Sequence, residues 1–110
     1  MDTRRDVFQA IADPTRRAII HLIAARPLHL NAIAGNFQVS RPAISQHIKI
    51  LMECGLITIK KQGRERFCEA KLQKLEEVSQ WIEEQRIFWN SKMDALERHL
   101  SVPEEKHIKK

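Results

Sequence analysis

The apolar residues of this chain change their spacing at Gly55, and this change limits the folds that the chain can adopt. On the N-terminal side they recur at intervals typical of one buried helix face: Ile44, Ile48, Leu51 and Met52. On the C-terminal side, residues 56–61 are rich in β-branched side chains, residues 62–64 supply a turn, and residues 66–68 return as a second strand. The pattern predicts a helix that ends near Cys54, followed by a two-stranded hairpin.

A short helix and a tight connection precede this helix. The apolar spacing predicts a helix over residues 30–36, and residues 37–39 form the connection. Ser40 is a strong N-cap for the helix that follows, with Pro42 in its first turn. Two short helices joined by such a turn and followed by a hairpin make a winged helix-turn-helix.

Two further helices are predicted at the N-terminal end. Residues 3–12 form the first, because Thr3 followed by Asp6 resembles a capping box. The second begins at Asp13-Pro14, an N-cap followed by a proline in the first helical position, and ends before Pro27. Its predicted buried stripe consists of Ala18, Ile19, Leu22 and Ile23.

A fifth helix is predicted at the C-terminal end, because residues 71–100 contain no glycine or proline. A stripe repeats there every seven residues: Leu75, Ile82, Trp89 and Leu96. A helix of about 30 residues is about 45 Å long, more than a small domain can cover, so part of the stripe should meet a partner. Trp81, Phe88 and Trp89 could instead line an effector pocket.

Pro103 is expected to end the helix, which leaves residues 1–100 as one domain and residues 101–110 as a polar tail.

The charge of +5 is unevenly distributed along the 110 residues. Residues 1–70 hold 11 Lys and Arg against 6 Asp and Glu, whereas residues 71–110 hold 8 of each. Such an excess is expected of a phosphate-binding surface. Arg16 and Arg17 oppose the helix dipole at the start of the second helix, which indicates either an anionic partner or two solvated side chains.

No apolar run approaches the ~20 residues that span a bilayer, so we expect no membrane partner and a cytoplasmic protein.

The exposed face of the fourth helix carries polar side chains suited to DNA. Gln46 can make paired hydrogen bonds to adenine, and Arg41 can bind guanine or phosphate. Ser40, Ser45 and Lys49 suit phosphate oxygens. The hairpin can reach the flanking backbone or the minor groove. The predicted DNA-binding residues of the helix are Ser40, Arg41, Pro42, Ser45, Gln46 and Lys49, and those of the hairpin are Lys61, Arg64 and Arg66.

Three segments of the chain together resemble regulators of the ArsR/SmtB type. They are residues 11–20 (IADPTRRAII), 45–51 (SQHIKIL) and 53–57 (ECGLI). The resemblance covers about residues 5–100 and implies a mainly α-helical fold with five helices and a two-stranded wing. It also implies a homodimer built from the first and last helices, and duplex DNA with two-fold symmetry as the partner. His47 then joins the DNA-binding residues, although it could simply pack at the edge of the helix. The expected dimer-interface residues are Val7, Phe8, Trp81, Ile82, Phe88, Trp89 and Leu96.

The chain departs from the metal-sensing members of this family. Residues 29–33 contain no cysteine, and Asp94 and His99 are five residues apart on the last helix. We therefore expect no metal, no cofactor and no catalytic residue, and a place in the metal-independent, autorepressor-like branch. Cys54 and Cys68 are expected to be buried thiols, with a redox switch as the alternative. The alternative function is that of a winged-helix protein-interaction module. A small-molecule or redox effector has no support in the sequence.

Overall fold

The computed structural model describes residues 6–107 of the chain and the side chains of residues 6–100. Within this range the fold has five helices and one hairpin, as expected. The contacts divide the chain into two units after Val78. The elements are α1 (Val7–Ala10), α2 (Pro14–Ala24), α3 (Leu30–Ala34), α4 (Arg41–Glu53), β1 (Ile57–Gln62), β2 (Glu65–Ala70), a single 3₁₀ turn (Leu72–Lys74) and α5 (Leu75–His107).

The helix starts follow from their N-cap residues. The Asp13 carboxylate accepts a hydrogen bond of 3.1 Å from the backbone N–H of Arg16, and Pro14 occupies the first turn of α2. Ser40 Oγ accepts one of 3.2 Å from Ala43 N–H at the start of α4. Both predicted starts are confirmed. The predicted capping residue Thr3 lies outside the described residues, and α1 is capped by Asp6 and ends at Ala10, earlier than expected.

The core of the first unit is a set of mainly aliphatic side chains from α1 to α4 and β1, to which β2 adds Cys68. The largest fully buried ones are Ile19, Ile23, Ile33, Ile44, Leu51, Leu56 and Ile57. Two predictions were wrong here. Ala18 is exposed and Ile20 is buried, because burying an isoleucine removes far more apolar surface from water than burying an alanine. Met52 is 41% exposed, since it lies at the edge of the buried face of α4.

The hairpin is attached to the rest of the first unit through Cys68. Ile59 pairs with Cys68 across the two antiparallel strands. Cys68 also exchanges two backbone hydrogen bonds with Leu28, of 3.1 and 2.7 Å, in the segment between α2 and α3. The loop is Gly63-Arg64, and Gly63 has φ +65°, as the first central position of a type II′ turn requires. Both strands are close to their predicted positions.

The last helix begins at Leu75, with Glu76 and Glu77 in its first turn, where negative charge is favourable. It continues to His107, so the prediction that Pro103 ends it was wrong. A proline inside a helix removes one backbone donor and disfavours the helix, yet α5 spans this position. No helix in the described range is both long and apolar enough to cross a membrane.

Candidate nucleic-acid interface

One side of α4 is exposed and polar while the other is buried. Ile44, Ile48 and Leu51 are at most 5% exposed and hold the helix against the core. Pro42, Ser45, Gln46 and Lys49 lie on the outer face and are exposed. With partners among residues 6–100, whose side chains are described, the side chains of Ser45, Gln46 and Lys49 make no hydrogen bond or ion pair. Their hydrogen-bonding groups are therefore available to another molecule.

The first two predicted DNA-binding residues of α4 have partners within the chain. Ser40 Oγ is occupied as the N-cap of the helix. The guanidinium of Arg41 donates a hydrogen bond to Asn31 Oδ1 of α3. Arg41 thus joins the two helices of the helix-turn-helix, and a contact with a base or phosphate would use its other donors or replace this bond.

His47 packs toward the start of α2. Its Nδ1 atom lies 3.2 Å from a guanidinium nitrogen of Arg16 and 3.9 Å from a carboxylate oxygen of Asp13. The imidazole is only partly exposed. These contacts match the packing alternative, and contact of His47 with DNA stays a prediction.

Arg16 and Arg17 cap the end of α1. Arg16 donates to the carbonyl of Ala10 at 2.8 Å and to that of Gln9 at 3.2 Å, and Arg17 donates to that of Ile11 at 2.8 Å. The last carbonyls of a helix have no partner within the helix and favour a cation. Both guanidiniums are thus bonded to neutral backbone carbonyls, so the contacts match neither the anionic partner nor the two solvated side chains expected from the sequence. The start of α2 at Asp13-Pro14, directly after α1, was the signal for this contact.

The contacts at the junction of α1, α2 and α4 also shift the pKa of Asp13. Partial burial opposes the charged form of its carboxyl. The hydrogen bond from Arg16 N–H and the charge of His47 outweigh this effect, so the pKa of Asp13 lies below its ordinary value. The carboxylate is therefore ionised at neutral pH, and it links α2 to α4 through His47.

The hairpin carries exposed cations, and one of them, Arg66, lies beside the outer face of α4. Lys61 pairs with Arg66 across the strands, and both are exposed, as is Arg64 in the loop. Ser45 and Lys49 of α4 border the same groove as Arg66 of β2. The structure thus brings Arg66 of the wing beside the predicted residues Ser45 and Lys49 of the helix.

The expected dimer-interface residues divide into two groups. Val7 is 2% exposed and belongs to the core of its own chain, so its assignment to a dimer interface was wrong. Val7, the first residue of α1, points inward because α1 packs on the core through this apolar side chain. The others present apolar surface, with 38% exposure for Phe8 and about half for the residues of α5: Trp81, Ile82, Phe88, Trp89 and Leu96.

Neither metal ligands nor reactive thiols stand out in the described part of the chain. There, no group of three or more His, Cys, Asp or Glu side chains could hold a metal ion. Cys54 and Cys68 are buried thiols, and burial raises the pKa of Cys68. A thiol of this kind is a weak nucleophile at neutral pH.

Comparison with known proteins matches the region that forms this surface. The family model described as bacterial regulatory protein, arsR family, matches residues 13–58, which include α2, α3 and α4. The transcriptional repressor SdpR of Bacillus subtilis is 32% identical over 77 residues, which are 70% of this chain and 86% of SdpR.

Two further similarities agree with this match. The HTH-type transcriptional regulator Rv2034 of Mycobacterium tuberculosis is 44% identical over 59 residues, which are 54% of this chain but only 55% of Rv2034. The solved structure of an ArsR-like transcriptional regulator from Rhodococcus sp. RHA1 superposes with a TM-score of 0.70 at 28% identity. That similarity covers 86% of this chain and 89% of the Rhodococcus chain.

Proposed function

The chain belongs to the arsR family of bacterial regulatory proteins, and we propose that it is a sequence-specific DNA-binding repressor that occupies its operator as a homodimer. One observation carries this proposal. The polar outer face of α4 is exposed, its opposite face is anchored in the core, and Arg66 of the hairpin lies beside it. A helix presented in this way can enter the major groove of DNA.

Each part of the surface has a distinct role in this proposal. Gln46 reads a base edge, since its amide can both donate to and accept from adenine. Ser45 and Lys49 bind phosphates and set the position of α4 in the groove. Lys61, Arg64 and Arg66 of the wing bind the flanking backbone. His47 and Arg16 hold α4 against α2, so they act on binding through the orientation of the helix.

The homodimer rests on the apolar surface of α5 and on Phe8 of α1. A two-fold dimer presents two copies of α4 to two half-sites, which should lie about 34–36 Å apart. The operator is then an inverted repeat. Occupation of such a site within a promoter prevents transcription, and the protein acts where the DNA is, in the cytoplasm. We place the chain in the metal-independent branch because residues 29–33 contain no cysteine.

The experiment that tests this proposal is selection of bound sequences from a random pool of duplex DNA at near-physiological salt. We expect enrichment of an inverted repeat, and affinity that falls steeply as salt is raised, because counterions are released from the phosphates. Gln46→Ala should lower the preference at one or two base pairs in each half-site, by about 1–3 kcal/mol per pair. Gln73→Ala, which removes an exposed glutamine outside the surface, should leave the preference unchanged.

Two outcomes would count against the proposal. Folded, dimeric protein that enriches no sequence would favour the protein-interaction alternative. Enrichment of an inverted repeat that Gln46→Ala does not alter would show that α4 is not placed in the groove as described.

A further inference from the structure

A groove of about 250 Å³ runs between α4 and the hairpin. Five of its lining residues are apolar and come from α3, α4 and both strands: Leu30, Ile48, Met52, Ile59 and Cys68. The other three are Ser45, Lys49 and Arg66. No acidic side chain lines it in the described part of the chain. The groove is thus apolar inside, with two cations and a hydroxyl at its edge.

The apolar part of the groove is only partly covered by the protein itself. Met52 on α4 is 41% exposed and Ile59 on β1 is 38% exposed. Cys68 is 4% exposed and belongs to its inner wall, where its neutral thiol behaves as a small apolar group. A concave apolar surface with a few polar groups at one side is the usual form of a small-molecule site. The volume is slightly below that of drug-sized sites, which favours a small ligand.

The charge at the edge of the groove identifies the ligand chemistry. Among the side chains of residues 6–100, neither Lys49 nor Arg66 has an ion-pair or hydrogen-bond partner. A guanidinium binds a carboxylate through paired hydrogen bonds, and an ammonium adds a second positive charge. We propose that this groove binds a small amphipathic carboxylate, with its chain against Met52 and Ile59 and its carboxylate between Lys49 and Arg66.

The location of the groove gives such a ligand a regulatory effect, and this step rests on the proposed function. Ser45, Lys49 and Arg66 are assigned to DNA, so a bound carboxylate occupies the same cations as the phosphates. The ligand and DNA then compete directly, without a conformational change. A dimer has two grooves, so ligand at ten times its dissociation constant should lower DNA affinity by about 100-fold.

The first test is binding to the full chain without DNA, using octanoate as the probe and 1-octanol as its uncharged counterpart. We expect saturable binding of one octanoate per chain by calorimetry, with amide shifts in NMR spectra centred on Ile48, Ile59 and Cys68. We expect 1-octanol to bind at least about fivefold more weakly, since it lacks the ion pairs. The proposal is overturned if octanoate does not saturate, if its shifts lie elsewhere, or if 1-octanol binds equally well.

Variants then test the two parts of the groove separately. Arg66→Gln should weaken octanoate binding roughly two- to fivefold. Ile59→Asp should abolish saturable binding, because it places a negative charge on the apolar wall. If Ile59→Asp does not fold, Met52→Glu replaces it, because it places a negative charge in the groove on the α4 side. Lys60→Gln is the matched control, because Lys60 points to the opposite face of β1 from Ile59 and does not line the groove. Equal effects of Lys60→Gln and Arg66→Gln would overturn the assignment.

The final measurement is competition on the selected operator. Octanoate should raise the apparent dissociation constant for DNA in the unmodified protein and not in Ile59→Asp. Octanoate that binds but leaves DNA affinity unchanged would overturn the regulatory step. A chain that binds no operator would overturn the proposed function alone, since the direct titration judges the groove independently.

Discussion

Arg16 and Arg17 are neighbours in sequence, yet they make different contacts at the end of α1. Arg16 donates to two carbonyls and contacts His47 of α4, whereas Arg17 donates to one carbonyl and is exposed. We expect Arg16→Ala to lower the free energy of unfolding by about 1.5–3 kcal/mol, as for hydrogen bonds that involve a charged group. Arg17→Ala should cost less than about 1 kcal/mol. Urea denaturation measures both, and equal losses would contradict the role of Arg16 as the link between α1, α2 and α4.

Asp13 gives the same junction a dependence on pH. Its lowered pKa means that it stabilises the folded chain above about pH 4, the unfolded value, and that this contribution is lost as pH falls through the lower folded value. We expect Asp13→Ala to lower the free energy of unfolding by about 0.5–2 kcal/mol at pH 7. Asp13→Asn keeps an N-cap oxygen without the charge and should cost less.

The two variants separate the cap from the charge. As the pH of urea denaturation is lowered from 7 to 3, the difference between the unmodified chain and Asp13→Asn should shrink. A difference that stays constant over this range would show that the charge of Asp13 does not stabilise the fold.

Single residues were predictable from sequence where their role is local. Ser40 and Asp13 act on backbone groups three residues away, so their type and position alone indicate a cap. The contacts of Arg41 and His47 depend instead on how α4 packs against α3 and α2. The sequence identifies both side chains as hydrogen-bonding groups. It does not show which residues of α3 and α2 lie beside them after the helices pack. The assignment of Val7 to a dimer interface was wrong for the same reason.

At the scale of elements, two glycines with positive φ allow the chain to leave α4 and to reverse direction in the hairpin. Gly55 follows the end of α4 with φ +81°, and a Cβ there would lie 3.3 Å from Lys74 Cε. Gly63 has φ +65°, and a Cβ there would meet nothing within 4 Å. We expect each Gly→Ala variant to lose about 1–2 kcal/mol of unfolding free energy from the backbone alone.

The comparison between these variants isolates the backbone effect. Gly55→Ala should lose slightly more, because the Lys74 side chain must also move aside. Gly55→Asn should recover part of the loss, since asparagine tolerates this conformation better. Thermal unfolding measures all three. A Gly55→Ala chain as stable as the unmodified one would contradict the left-handed end of α4.

The predicted elements agree with the structure where the apolar spacing changes at a residue that begins or ends a helix or strand. The connection at residues 37–39, the cap at Ser40 and Gly55 all mark boundaries that local chemistry sets. The bridge between Leu28 and Cys68 joins residues forty positions apart, and no local pattern indicates it. The sequence predicts that α5 ends at Pro103, whereas the helix continues through this residue to His107.

At the scale of the whole molecule, the main feature is a series of large apolar side chains that stay exposed on α5. In the second unit, Trp81, Ile82, Phe88, Trp89 and Leu96 are each about half exposed. Large patches of this kind mark interaction surfaces. The heptad spacing of the sequence predicted a partner for this helix, although sequence alone could not show which residues remain exposed. Burial of these side chains in a dimer would also add to the modest apolar core that a domain of this size buries by itself.

Trp89 offers a direct test of this dimer, because it is 58% exposed and a buried tryptophan commonly dominates an interface. Trp89→Asp should weaken dimerisation by at least about 2 kcal/mol, or roughly 30-fold in the dissociation constant, measured by sedimentation equilibrium. Affinity for the inverted repeat should fall by up to the same factor as dimerisation, because binding to both half-sites at once requires the dimer. Affinity for a single half-site should change little, because α4 lies in the other unit. Asn90→Asp introduces the same charge one residue along and should keep more of the dimer than Trp89→Asp. A Trp89→Asp chain that remains dimeric and retains its affinity for the inverted repeat would exclude Trp89 from the interface.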